Sequence, residues 1–307
     1  MHQPVFIIGA AISDLMAFPH SPLEAGESIP GRVLRAPGGV GRNIAENLAR
    51  LGLHPELVSV FGDDPFSRGL ASHARRAGIG LDYSFQREKG EGCWHLAIYG
   101  QDNDLHHGVA DLSAMNELTP AILAERLPAL QAASAIVVET NCTEEALNWI
   151  ATQAWAAPLY LDPISAVLCQ KVTGRLGHYH TLKANRKQAE ALTGQILRTR
   201  ADLERVARSL LIAGLQRVFI TLGPEGVFAA DREAMHLLPA AKGPVASTTG
   251  AGDAFMAGLI WANRRNWPVE DCARAGLAAA ALALREEGAV SSALNEQALL
   301  EQLRGLC

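Results

Sequence analysis

Little in this sequence suits a membrane, a nucleic acid or a disulfide framework. Its longest uncharged apolar stretch, 275–284 between Arg274 and Arg285, falls far short of the roughly 20 residues that a spanning helix needs. There is no basic excess either. With 27 Lys and Arg against 32 Asp and Glu, the net charge is -5, which removes the electrostatic footprint of a protein that grips a nucleic-acid backbone or an anionic membrane. The five cysteines, Cys93, Cys142, Cys169, Cys272 and Cys307, form no close pair. An odd, scattered set predicts reduced thiols in a cytoplasmic protein, without structural zinc. The opening residues lack a basic leader and run straight into Val5-Phe6-Ile7-Ile8, which reads as a strand rather than a targeting signal. Repeats, linkers and low-complexity tracts are also missing, so a small-molecule partner is expected.

What is present is a large apolar fraction, 49% of 307 residues, enough for a sizeable core in one domain spanning 1–307. Short apolar runs at 5–8, 57–61, 135–138, 159–161 and 218–222 are bounded by Gly, Asp or Pro and predict buried strands. Stretches 44–51, 66–77, 144–154 and 201–213 repeat apolar residues at helical spacing. Such alternation predicts an α/β fold with a mostly parallel sheet covered by helices. The end of the chain, 254–263, 269–285 and 296–304, reads as consecutive helices closing one flank. Two segments break the pattern: 15–37, rich in Pro, Gly and Ser, and 93–108, where Trp94, Leu96 and Ile98 alternate with polar or small residues. They predict a small outlying β-sheet lid, whose open edge would be shared with a second subunit as a homodimer.

The chemistry concentrates in Ser247-Thr248-Thr249-Gly250-Ala251-Gly252-Asp253, small residues leading into a helical run. Unpaired N–H groups at a helix start carry the positive end of the macrodipole, so a glycine turn there can hold an anion such as phosphate. Asp253 could be a simple N-terminal cap or the general base of phosphoryl transfer, with Gly250, Ala251 and Gly252 as the cradle. A second cluster, Gly38-Gly39-Val40-Gly41-Arg42-Asn43, also precedes a helix and by itself fits a tight turn. A dinucleotide fold would need G-x-G-x-x-G after the first strand. The chain has Gly9-Ala10-Ala11-Ile12-Ser13-Asp14 there, which disfavours nicotinamide. Asp14 is placed at the carboxyl end of the first strand, where open α/β sheets bind ligands.

Together these residues resemble the ribokinase-like (PfkB) sugar kinases over essentially the whole chain. The first signature is Gly38–Ala45 followed by Gly52 and Gly62, and the second runs from Ser247 through Asp253 to Ile260. The resemblance implies a three-layer α/β/α fold with a β-sheet lid, ATP and magnesium as cofactors, and Asp253 as base. Asp14, Gly38, Gly39, Arg42, Asn43 and Asn141 would bind the acceptor. Lys183, Asn185, Thr221, Gly223 and Gly226 would lie on the ATP side. Pro37–Ala45, Asp162-Pro163-Ile164-Ser165 and His180-Thr181-Leu182-Lys183 are most similar to the family's pseudouridine-phosphorylating branch. That implies transfer to the 5′-hydroxyl of pseudouridine. Another nucleoside or sugar kinase (ribose, uridine, inosine or adenosine) and a non-catalytic nucleoside sensor remain the alternatives.

Three departures qualify the resemblance. The family's N-x-x-E, associated with magnesium, appears as Asn185-Arg186-Lys187-Gln188, so the metal position at Asn185 and Gln188 has an amide for a carboxylate. Ser247 replaces the Asp common in potassium-activated relatives, which leaves potassium as an open expectation. Ala184 and Ser113 stand where the pseudouridine branch tends to have Pro and Asn. His178-Tyr179-His180, expected on a strand, and His106-His107 have no metal-ligand spacing around them.

Overall fold

The computed structural model describes residues 3–100 and 105–305. In chain order the strands are β1 Val5–Ile8, β2 Ile12–Pro19, β3 Gly31–Gly38, β4 Pro55–Val58, β5 Val60–Phe61, β6 Phe85–Gln86 and β7 Cys93–Tyr99. They continue with β8 Leu105–Asp111, β9 Ala135–Glu139, β10 Leu159–Asp162, β11 Thr181–Asn185, β12 Arg217–Thr221, β13 Val227–Asp231 and β14 Met235–Leu238. Among the described residues, eight form one sheet in the order β14-β13-β12-β11-β10-β9-β1-β4. Pairing is parallel from β4 to β12 and antiparallel for β13 and β14 at the edge. The expected mostly parallel sheet is present.

Strand residues alternate between two cores because successive side chains leave opposite faces. Ile7, Val137, Tyr160 and Phe219 face the layer containing helices Val40–Arg50, Ala251–Asn263 and Val269–Ala283. Ile8, Val138, Leu161, Leu182 and Val218 face helices Glu144–Thr152, Arg186–Thr193 and Arg200–Ile212. Helix Ala251–Asn263 is buried continuously from Asp253 to Ala262, as an all-round apolar helix must be. Its first turn is therefore held by rigid packing.

The outlying sheet also forms, in the order β3-β2-β7-β8. Its strands begin earlier and end later than the expected segments, reaching Ile12, Gly38 and Asp111; residues 101–104 of the second segment lie outside the described residues. Two expectations need correction. The 57–61 run is not one strand: it breaks at Ser59, whose Oγ accepts the Ala11 N–H at 3.0 Å, while its own N–H donates to Ser84 Oγ at 3.2 Å. His178-Tyr179-His180 is not a strand either. His178 ends a 3-10 turn, Leu176–His178, and β11 starts only at Thr181, because the N–H groups of His178 and Tyr179 bond back to the Arg175 and Leu176 carbonyls. Cys93, Cys142, Cys169 and Cys272 are free and buried; Cys307 lies outside the described residues. No helix among the described residues is long and apolar enough to cross a membrane.

Candidate active site

Two helices begin side by side with glycine instead of a capping side chain. Gly39 (φ 92°) precedes Val40–Arg50, and Gly250 (φ 77°) precedes Ala251–Asn263; neither start has a side-chain cap. Both glycines occupy left-handed backbone, and a Cβ would strike the Ala10 carbonyl at Gly39 and the Ala289 carbonyl at Gly250. Glycine is thus required twice, by conformation and by space. At the second start, the N–H groups of Asp253 and Ala254 turn inward to the Gly250 carbonyl, and that of Ala251 makes only a long contact of 3.4 Å to Thr248. The Gly252 N–H has no protein acceptor among the described residues. A donor in that position is suited to an anion.

Asp253 is not the cap; it sits in the first turn, 7% exposed. Asn43 Nδ2 donates to its Oδ2 at 2.8 Å, joining residues 210 positions apart. Burial pushes the carboxyl up to about 7, with Asp162 adding to the rise and Lys183, Asn43 and Arg42 opposing it. A base with a pKa near neutrality is well matched to accepting a hydroxyl proton.

Arg42 does not face the cleft as a free cation. It is 1% exposed, and its guanidinium donates to Glu46 at 2.6 Å, to the Pro37 carbonyl at 2.9 Å, to the Gly38 carbonyl at 3.1 Å and to Asn43 Oδ1. Four of its five N–H donors are thus spent on protein groups, which ties Arg42 to Asn43 and to the Gly38 turn. Asp14 also needs relocation. It lies within β2 of the small sheet rather than at the end of β1, because the chain passes from Ile8 into β2 after three residues. A Cβ on Gly38 would overlap its carboxylate, and His95, its register partner on β7, approaches it at 3.5 Å. The carboxylate raises the His95 pKa.

On the other side, the sheet register aligns Glu139 with Asp162, and Lys183 continues the row from β11. Lys183 Nζ pairs with Asp162 Oδ2 at 2.6 Å, both groups buried, and lies 3.2 Å from where a Gly252 Cβ would be. A positive charge thus borders the open N–H. Thr221 is the register partner of Asn185, so the residues expected on the ATP side converge at the carboxyl ends of β11 and β12; Gly223 opens and Gly226 follows the short turn Gly223–Glu225. Asn141 stands apart: its backbone N–H donates to Glu139 at 2.6 Å, and no contact joins it to Asp253 among the described residues.

The expected metal position does not fit a cation. Asn185 Oδ1 accepts the Gln188 N–H at 2.9 Å, and Gln188 Oε1 accepts the Asn185 N–H at 2.7 Å. Gln188 Nε2 donates to the Ile164 carbonyl at 2.7 Å. Both side-chain oxygens serve the helix start, and neither residue brings a carboxylate. Among the described residues no group of three His, Cys, Asp or Glu is arranged to hold a metal. Ser247 Oγ, at the position raised for potassium, accepts the Thr249 N–H at 3.1 Å.

Glu139, Asp162 and His95 were not anticipated as site residues. Glu139 is wholly buried and pushed up to about 7 by burial. Each carboxylate terminates a buried apolar run, a charge at a strand's carboxyl end that the sequence did display. A concavity of about 1030 Å³ lies elsewhere, at the opposite end of the sheet around Trp155, His180, Arg217 and Arg264. It contains no carboxylate to act as base.

Comparison with known proteins agrees with this fold. The pfkB family carbohydrate kinase profile matches residues 3–296. A pseudouridine kinase of Escherichia coli K12 is 37% identical over 257 residues, 83% of this chain and 82% of that protein. An uncharacterized sugar kinase of the same strain is 31% identical, over 93% of this chain and 79% of its own length. Among solved structures, a carbohydrate kinase from Agrobacterium tumefaciens superposes with a TM-score of 0.86 at 28% identity, covering 99% and 97% of the two chains. An Arabidopsis thaliana ribokinase complexed with ribose and ATP shares the fold, with a TM-score of 0.84 at 22% identity over 99% of both chains. With its profile match over nearly the full length, the chain belongs to the pfkB family of carbohydrate kinases and is an ATP-dependent phosphotransferase acting on a sugar or nucleoside.

Proposed function

We propose that this enzyme transfers the terminal phosphoryl group of ATP to the 5′-hydroxyl of pseudouridine. The observation that carries the catalytic part is the buried Asp253 carboxylate, held by Asn43 and next to the open Gly252 N–H and Lys183. The 37% identical pseudouridine kinase supports the acceptor. In the reaction, Asp253 removes the hydroxyl proton as the oxygen attacks the terminal phosphorus, and the bond to the bridging oxygen of ADP breaks. Asp253 is left protonated and returns its proton to solvent. Gly252 N–H and Lys183 oppose the charge on the transferring group, work that contributes about 100-fold to 1000-fold per donor in other enzymes. Asp14, with His95 behind it, receives ribose hydroxyls under the small sheet, which excludes water that would otherwise consume ATP.

A second reading, another sugar or nucleoside as acceptor, has the 31% identical sugar kinase in its favour. With ATP and magnesium, pseudouridine should be turned over far faster than ribose, uridine, inosine or adenosine; equal or better use of another acceptor overturns the specificity. We also propose that the small sheet pairs with a second copy. Val33 and Val109, on the face opposite Asp14, are 64% and 67% exposed, an apolar surface that a homodimer would cover. Sedimentation velocity should give a dimer for the native chain and a monomer for Val109→Asp; a native monomer at micromolar concentration refutes the pairing.

A further inference from the structure

We propose that Gln188 is a positioning residue that sets Lys183 on the phosphate cradle, and that this site requires an amide rather than a carboxylate. The inference rests on the assignment of Lys183 and Gly252 to that cradle. Gln188 is 4% exposed, and both ends of its amide are engaged. Its oxygen accepts from Asn185 N and its NH2 donates to the Ile164 carbonyl. Ile164 is a β-branched residue with φ 53°, a left-handed conformation that persists only when its surroundings enforce it. The Gln188 bond supplies that enforcement directly on the strained peptide. On its other side, the Ile164 N–H donates to Asp162 Oδ1 at 3.1 Å, and Asp162 Oδ2 holds Lys183 at 2.6 Å. A continuous chain therefore runs from the start of helix Arg186–Thr193 through Gln188, Ile164 and Asp162 to Lys183.

A glutamate could replace only half of Gln188. Its ionised oxygens accept from Asn185 N but cannot donate, and one would face the Ile164 carbonyl oxygen in a buried setting. A protonated glutamate, by contrast, reproduces both bonds. The surrounding charged groups have other partners: Arg186 pairs with Glu225, Glu190 accepts from Leu197 N, Lys171 donates to the Thr140 and Cys142 carbonyls, and Asp162 pairs with Lys183. Asp253 and Glu139 titrate near 7 in the native protein as well, so the variant is read as a difference from wild type at each pH.

The test compares Gln188→Glu and Gln188→Met with wild type in the full chain. At pH 8, Gln188→Glu should melt at least about 4 °C lower and raise KM for ATP about five-fold or more, with KM for the acceptor unchanged. At pH 5.5 the melting deficit of Gln188→Glu should narrow, closing fully only below the ordinary glutamate pKa of about 4.3, whereas that of Gln188→Met should persist at both values. Adding Ile164→Gly, which relieves the left-handed strain, should shrink the loss caused by either substitution. A Gln188→Glu protein that fails to fold even at pH 5.5 would refute the inference. So would one as stable as wild type at pH 8 that needs less magnesium, since position 188 would then be a vacated metal site. Normal ATP KM with the predicted melting behaviour would leave the bonds in place but refute the positioning of Lys183. The melting arm does not depend on the acceptor or on turnover, so failure of the kinase reading would be recognised separately.

Discussion

Asp253→Asn removes a buried charge yet can keep the bond that fixes it, because the new amide oxygen accepts from Asn43 Nδ2 as the carboxylate did. The native carboxyl titrates at about 7 against an ordinary 3.8. Between these values the folded protein holds a proton that the unfolded chain has released, so native stability falls as pH rises through this window. A shift of about 3 units at about 1.4 kcal/mol each sets a ceiling of about 4 kcal/mol above pH 7. Relaxation around the charge reduces this, and we expect Asp253→Asn to be more stable than wild type by about 1–3 kcal/mol at pH 8 and nearly equal at pH 4. Urea unfolding at the two pH values measures the difference. Glu139 titrates in both proteins and cancels. The same stability difference at both pH values would refute the reasoning, since the carboxyl would then not be held protonated by burial.

Other outcomes follow from the same geometry. If Asp253 acts as the ionised base, kcat should fall about ten-fold per unit once pH drops well below 7; a flat profile from pH 8 to 5 contradicts this. Gly250→Ala should destabilise the fold by at least about 2 kcal/mol, because its φ of 77° and the adjacent Ala289 carbonyl both reject a side chain; differential scanning calorimetry reads the loss. Arg42→Lys should raise acceptor KM about ten-fold, since one ammonium cannot hold the Pro37 and Gly38 carbonyls, Glu46 and Asn43 together; unchanged steady-state KM would remove its positioning role.

Much of the fold was legible because its parallel strands are buried on both faces and read as unbroken apolar runs, as in β1, β9 and β10. β11 was hidden because Thr181, Lys183 and Asn185 alternate with only two apolar residues, Leu182 and Ala184. Lys183 and Asn185 belong to the proposed site, a setting in which local pattern is expected to give way. The two glycine-led helix starts were visible in the sequence, whereas their meeting was not: the Asn43–Asp253 bond spans 210 positions. The engagement of Arg42 was hidden for a related reason. A conspicuous basic residue beside a binding motif suggests a ligand contact, and only its burial reveals that protein carbonyls and Glu46 occupy it. The two hydrogen bonds of Gln188, to Asn185 N and to the Ile164 carbonyl, were equally invisible in the sequence.

The most direct measurement is turnover of Asp253→Asn with ATP, magnesium and pseudouridine at pH 8. The account predicts kcat at least about 100-fold below wild type, with a much smaller change in KM. Turnover near the wild-type rate would contradict it.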